Sequence, residues 1–246
     1  MESRLGMNAA LQGLIGPWRK FMLEPNSTSA PTPLPPSSQS SDSPAGELLA
    51  SSSAGKQRRI LWIDGVGGYL LVSSNDIVIG QALSGSPVSV PIVGDLSRQA
   101  AAIIRSGSDY LLQPLQSTRL DGAAVERPQL LHSGHTLQLG ERVKLKFTVA
   151  NRLSATARLD LVSHHRFKPS VDGVLLMADS CLLGATNHCH IVCPNWSQEV
   201  QLYRHQENWF FRLPMGVTIN GQPSAGKVPL VSGMRVQGED FSLSIE

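Results

Sequence analysis

The densest run of chemistry-bearing side chains is Asn187-His188-Cys189-His190-Ile191-Val192-Cys193, where two imidazoles and two thiols stand close together. Imidazole nitrogen and thiolate sulfur are the ligands that hold zinc. Read as a strand, however, the segment sends His188 and His190 to one face and Cys189, Ile191 and Cys193 to the other. Cys189 and Cys193 then stand about 13 Å apart at ~3.3 Å per residue, too far to share one ion. The expectation is no metal: half-buried cysteines, exposed histidines, and His164-His165 as a surface pair. Asp64-Gly65-Val66-Gly67-Gly68 is only superficially a nucleotide-binding loop, because a required glycine is missing and a strand pattern, not a helix, follows. No Gly-x-Ser-x-Gly occurs, and no Ser/His/Asp placement suggests a nucleophile with its base. The chain is therefore expected not to be an enzyme, and no cofactor is expected.

Bulk properties point the same way. The 246 residues carry a formal net charge of +2, and no cluster of Lys/Arg with interleaved aromatics forms a polyanion groove, so nucleic acid is not an expected partner. Aromatics are only 5% of the chain, which leaves aliphatic residues to build the core. Cys181, Cys189 and Cys193 are too few and too clustered for a secreted disulfide framework. With no secretory pattern at the start and no apolar run long enough for a membrane span, a cytoplasmic location is expected.

The elements that must position any site come next. Leu11, Leu14, Ile15, Trp18 and Met22 share one helical face, so a short helix is expected within residues 1–23. It reads either as a loosely docked helix or as an interfacial or partner-binding segment. Residues 24–57 are dominated by Ser, Pro, Thr and Ala and are expected to be a disordered linker. From Arg58 on, short alternating runs bounded by turn residues predict strands, among them Ile60–Ile63, Tyr69–Val72, Ile77–Ile79 and Val143–Val149. Leu96–Ile104 has helix preference, yet its counterpart Val200–Tyr203 alternates, which argues for strand from about Ala101.

That counterpart belongs to a repeat. Tyr110 and Trp209, Gly122 and Gly221, and Gly134 and Gly233 are each separated by 99 positions. A constant offset over three punctuation points argues for two copies of one β unit, expected over 58–150 and 151–246, with Ala157–Val162 opening the second. The expected class is all-β, two consecutive sandwiches.

At Ile79-Gly80, Asp95-Leu96-Ser97-Arg98 and Thr118-Arg119-Leu120-Asp121-Gly122, the first unit resembles a forkhead-associated (FHA) domain. A fainter copy of the pattern covers the second unit, a tandem arrangement as in some bacterial proteins. The resemblance implies an eleven-stranded β-sandwich that binds phosphothreonine peptides through loops at one end. The family pattern is Gly-Arg, then Ser-Arg-x-His some twenty residues on, then an Asn-Gly turn. Here Gln81 stands where the phosphate-holding arginine would be, and Ala100 replaces the histidine. A neutral amide substitutes poorly for a guanidinium at a phosphate. Ser97 and Arg98 remain as hydroxyl donor and cation, with Arg119, Gln81 and Asp121 as further candidate peptide contacts. In the second unit Ala185 follows Gly184 and Glu199 stands near the expected anion site, so phosphate binding there is expected to be lost. The implied function is a non-enzymatic signalling adaptor. Its partner would be a protein or phosphopeptide, substrates of Ser/Thr kinases included, bound by the first unit. The alternative is a phosphate-independent scaffold using the sandwich faces.

Overall fold

The computed structural model describes residues 58–246 apart from 152 and 207. The helix expected within 1–23 and the linker expected over 24–57 lie outside the described residues. Every regular element among those residues is a strand. The first copy holds β1 (Arg58–Ile63), β2 (Gly67–Val72), β3 (Asp76–Gln81), β4 (Val90–Val93), β5 (Ala101–Ser106), β6 (Asp109–Pro114), β7 (Thr118–Leu120), β8 (Ala123–Ala124), β9 (Gln129–Leu131), β10 (Thr136–Leu139) and β11 (Val143–Thr148). The second holds β12 (Ala157–Leu161), β13 (Arg166–Phe167), β14 (Gly173–Leu176), β15 (Ser180–Gly184), β16 (Ile191–Val192), β17 (Val200–His205), β18 (Asn208–Ile219), β19 (Gln222–Pro229), β20 (Arg235–Gln237) and β21 (Ser242–Ile245).

Alternation is what makes these segments strands. In β11, Val143, Leu145 and Phe147 are fully buried while Lys144 and Lys146 face water. In β5, Ala101 and Ile103 enter the core between β3 and β6, which overrides the local helix preference of this stretch. The buried side chains gather into two clusters. In the first, the sheet β13-β4-β3-β5-β6-β9 covers one half of a larger sheet ordered β16-β15-β17-β18-β20-β21-β1-β2-β14-β12-β11-β10-β7-β8, with β19 beside β18. The protein is an all-β sandwich.

The 99-residue offset reappears in the pairing, with a crossing of partners. β1 lies antiparallel to β21, with Leu61 opposite Ile245 and Trp62 opposite Ser244. β12 lies antiparallel to β11, with Asp160 opposite Lys146 and Leu161 opposite Leu145. These are equivalent pairs in the same register, but each copy's opening strand sits beside the other copy's closing strand. At the centre β2 and β14 run parallel, with Leu70 opposite Val174 and Leu71 opposite Leu175. Leu70, Val72, Val174 and Leu176 face the first cluster, whereas Tyr69, Leu71 and Leu175 face the second. These two strands therefore bury both faces, as their unbroken apolar sequences require.

The clusters do not part at residue 150. Ala157, Leu159, Phe167, Val174 and Leu176, from the segment expected to open the second unit, pack into the first cluster. Tyr110 of β6 helps hold that segment. Its buried hydroxyl is within bonding reach of the Ala155 and Leu176 carbonyls, and its ring meets Phe147 edge-on at 5.2 Å.

Candidate functional site

Gly80 is the foundation of the loop that carries Ser97 and Arg98. A Cβ at this position would stand 2.0 Å from the Arg98 carbonyl oxygen, so only glycine lets the loop backbone lie on β3. The contact is closed by hydrogen bonds: Gln81 N–H donates to the Ser97 carbonyl at 3.0 Å, and Ala100 N–H donates to the Ile79 carbonyl at 2.8 Å. Leu96 and Ala100 anchor the loop in the core, leaving Ser97, Arg98 and Gln99 exposed at its crest. Gln81 supports this loop. Its side-chain amide donates to the Gly94 carbonyl at 3.2 Å, an internal tie across residues 94–99.

A second loop, 115–117, completes this end of the sandwich. The N–H groups of Leu115 and Gln116 both donate to the Ala100 carbonyl, and Gly140 N–H donates to the Ser117 carbonyl at 2.9 Å. The Thr118 hydroxyl donates to the Gln116 carbonyl at 2.9 Å. Arg142, in the turn between β10 and β11, pairs with Asp95 at 3.6 Å. Both partners are exposed, so the pair is worth at most about 1 kcal/mol. Gln116, Ser117 and Arg142 thus belong to the loop end of Ser97, although motif matching had not selected them. The signal for the first two was the short gap between Leu115 and Thr118.

Arg119 and Asp121 are elsewhere. β7 runs antiparallel to β10, with Thr118 opposite Leu139 and Leu120 opposite Leu137. The Asp121-Gly122 turn therefore lies at the far end of β7 from the 115–117 loop. Asp121 and Gly122 have φ of 50° and 87°, the pair of positive values that a tight two-residue hairpin needs. The Asp121 carboxylate accepts the Thr136 N–H at 2.7 Å and lies 3.7 Å from His135 Nε2, while Arg119 donates to the Gly122 carbonyl at 3.2 Å. The second copy repeats the device: Asn220 Oδ1 accepts the Arg235 N–H at 2.9 Å, again 99 residues on. This motif is a turn fastener in both copies. Of the five candidate residues, Gln81, Ser97 and Arg98 lie along the backbone contact over Gly80, whereas Arg119 and Asp121 lie in the hairpin over 118–122.

The matching end of the second copy has different chemistry. Over Gly184 lie Glu199 and Cys189: a Cβ there would meet Glu199 Cγ at 2.7 Å and Cys189 Sγ at 3.3 Å. Asn187–His190 forms a turn, not the expected strand, and strand pairing is confined to Ile191–Val192. The turn breaks the alternation assumed for the histidines. His188 is exposed, but His190 is buried, its Nδ1 accepting the Leu182 N–H at 2.9 Å, and burial pushes its pKa down to about 4. Cys181, Cys189 and Cys193 are all free thiols and all buried. Burial raises the Cys189 thiol above its ordinary pKa, the neighbouring Glu199 charge adds to that, and the Thr186 hydroxyl opposes it. Nearby, hydrogen bonds from the Ser197 side chain and N–H hold the Asp240 carboxyl below its usual pKa, and the Trp196 and Phe241 rings meet tilted at 4.6 Å.

Of the glycine-rich segment, residues 64–66 are the turn joining β1 to β2, and Gly67 and Gly68 already belong to β2. The Asp172 carboxylate accepts the Gly68 N–H at 2.8 Å. Among the described residues no helix is long and apolar enough to cross a membrane.

No protein-family model matches the chain. No curated protein matches it either. Among solved structures the chain is similar to the "N-terminal FHA domain from EssC a component of the bacterial Type VII secretion apparatus", at 14% identity. The match covers 76% of this chain and 92% of that one, with a TM-score of 0.23. The all-β sandwich rests on the strand pairing.

Proposed function

We propose that this chain is a non-enzymatic interaction protein of FHA type, and that the loop end bearing Ser97 and Arg98 binds an extended segment of a partner protein. One observation carries the reading: Gly80 leaves the space, and the bonds Gln81 N–H to Ser97 and Ala100 N–H to Ile79 seat residues 97–100 on β3, while Ser97 and Arg98 are left exposed. A loop fastened by buried anchors with polar groups at its crest is preorganised to bind, which lowers the ordering cost of association. The residue pattern of the family supports phosphothreonine as the preferred ligand group, with substrates of Ser/Thr kinases as the partner class. Affinity for phosphate is low, because Gln81 uses its amide inside the loop and brings no charge. The repeat supports two such units, the second without phosphate binding.

Isothermal calorimetry with a phosphothreonine peptide library and its unphosphorylated twin tests this. The expected result is a phosphate preference of about tenfold, the scale of one charge-assisted hydrogen bond. It is lost in Arg98→Ala and enlarged in Gln81→Arg. Equal binding of the two libraries would leave the phosphate-independent scaffold reading, which the internal bond from Gln81 to Gly94 favours.

A further inference from the structure

The strongest unassigned cluster lies at the loop end of the second copy. His188 Nε2, Cys189 Sγ and a Glu199 carboxylate oxygen all lie within 4.8 Å of one another. His188 Nε2 is 3.2 Å from Glu199 Oε1, and Cys189 Sγ is 3.7 Å from the same oxygen. The Thr186 hydroxyl caps the group, at 3.0 Å from Glu199 Oε1, 3.2 Å from Cys189 Sγ and 3.3 Å from His188 Nε2. We propose that His188, Cys189 and Glu199 bind a zinc ion, with the Thr186 hydroxyl or a water in the fourth position.

The geometry suits the ion. Tetrahedral zinc with ordinary bond lengths sets its nitrogen and oxygen ligands about 3.3 Å apart and its sulfur and oxygen ligands about 3.6 Å apart. The His188–Glu199 and Cys189–Glu199 spacings differ from these by about a tenth of an ångström, and His188 Nε2 and Cys189 Sγ lie within 4.8 Å of each other. A mixed nitrogen, sulfur and oxygen set favours a borderline-soft ion over magnesium or calcium, which want oxygen alone. The site also has a floor and an entrance. Gly184 leaves the space into which Glu199 and Cys189 fold, and the His188 and Glu199 side chains are 54% and 42% exposed, open to an arriving ion. Binding releases the thiol proton to solvent and replaces the His188–Glu199 contact with two metal bonds, His188 binding through Nε2 with its ring proton carried on Nδ1. The ion then ties the 185–190 turn to the residue before β17, a tie that in the first copy is made by the backbone bonds around Gly80.

The test uses the tag-free full chain under reducing conditions, with cobalt(II) and zinc(II) as probes. The expected result is one equivalent of cobalt giving a near-ultraviolet thiolate-to-cobalt charge-transfer band that one equivalent of zinc bleaches. Cys189→Ser removes the band. His188→Gln and Glu199→Gln each weaken binding at least tenfold, while His132→Gln leaves it unchanged. Zinc raises the thermal midpoint of the parent chain but not of Cys189→Ser. Absence of the band, or its survival in Cys189→Ser, overturns the site. Should Cys189→Ser fail to fold, the double variant His188→Gln/Glu199→Gln decides, because both side chains lie at the surface; unchanged affinity in it overturns the proposal. None of these outcomes depends on peptide binding by the first copy.

Discussion

Gly80 shows how much of the proposed binding loop rests on the lack of a side chain. Its missing Cβ is filled by the Arg98 carbonyl, a backbone atom that cannot swing away. Gly80→Ala must therefore lift residues 97–99 off β3 or strain them. The expected loss is about 1–3 kcal/mol, the range for overpacking, read as a lower midpoint in urea. A parent-like midpoint would mean that the loop is not seated as described. The sequence advertised this glycine and the Ser97-Arg98 pair, but it did not show that Gln81 turns inward. Nor did it show that Asp121 serves its own turn. A two-residue hairpin of Asp-Gly type reads identically whether it fastens a sheet or touches a ligand. The metal-binding reading was hidden for a related reason: His188 and Cys189 meet Glu199 only because 187–190 is a turn, and alternation counted along a strand separates them.

At the scale of elements, strand positions were legible because buried and wet positions alternate cleanly, as in β11, and because the copies corroborate each other. The pairing was not. β1 meets β21 and β12 meets β11 in equivalent registers, so the repeat offset alone does not say which closing strand each opening strand takes. What does bind β12 and β14 to the first cluster includes Tyr110, whose hydroxyl reaches the Ala155 and Leu176 carbonyls from β6. Tyr110→Phe keeps the ring and its contact with Phe147 but leaves the part-buried Ala155 and buried Leu176 carbonyls without that donor. The expected cost is about 1–3 kcal/mol in a thermal or urea midpoint. A neutral substitution would show that the hydroxyl does not secure this segment.

For the molecule as a whole, the two clusters share β2 and β14, so neither can lose its share without exposing the other. Leu175 and Leu176 are neighbours that serve different clusters. Leu175→Ala and Leu176→Ala are each expected to cost about 2–5 kcal/mol. In both variants, tryptophan fluorescence, to which Trp196 and Trp209 of the second cluster contribute among the chain's four tryptophans, is expected to fall together with amide-exchange protection of β5 in the first. Two separated transitions would show that the shared strands do not couple the clusters. The crossing of partners also has a consequence for biosynthesis. Nearly all of the first cluster is encoded in one uninterrupted stretch, from Ile77 to Leu176, and can close while the ribosome is still translating. The second needs Leu61 and Ile63 from the start of the described chain and Leu243 and Ile245 from its last strand. During synthesis the β1–β2 hairpin must therefore wait, one edge unclaimed, until β21 has been made.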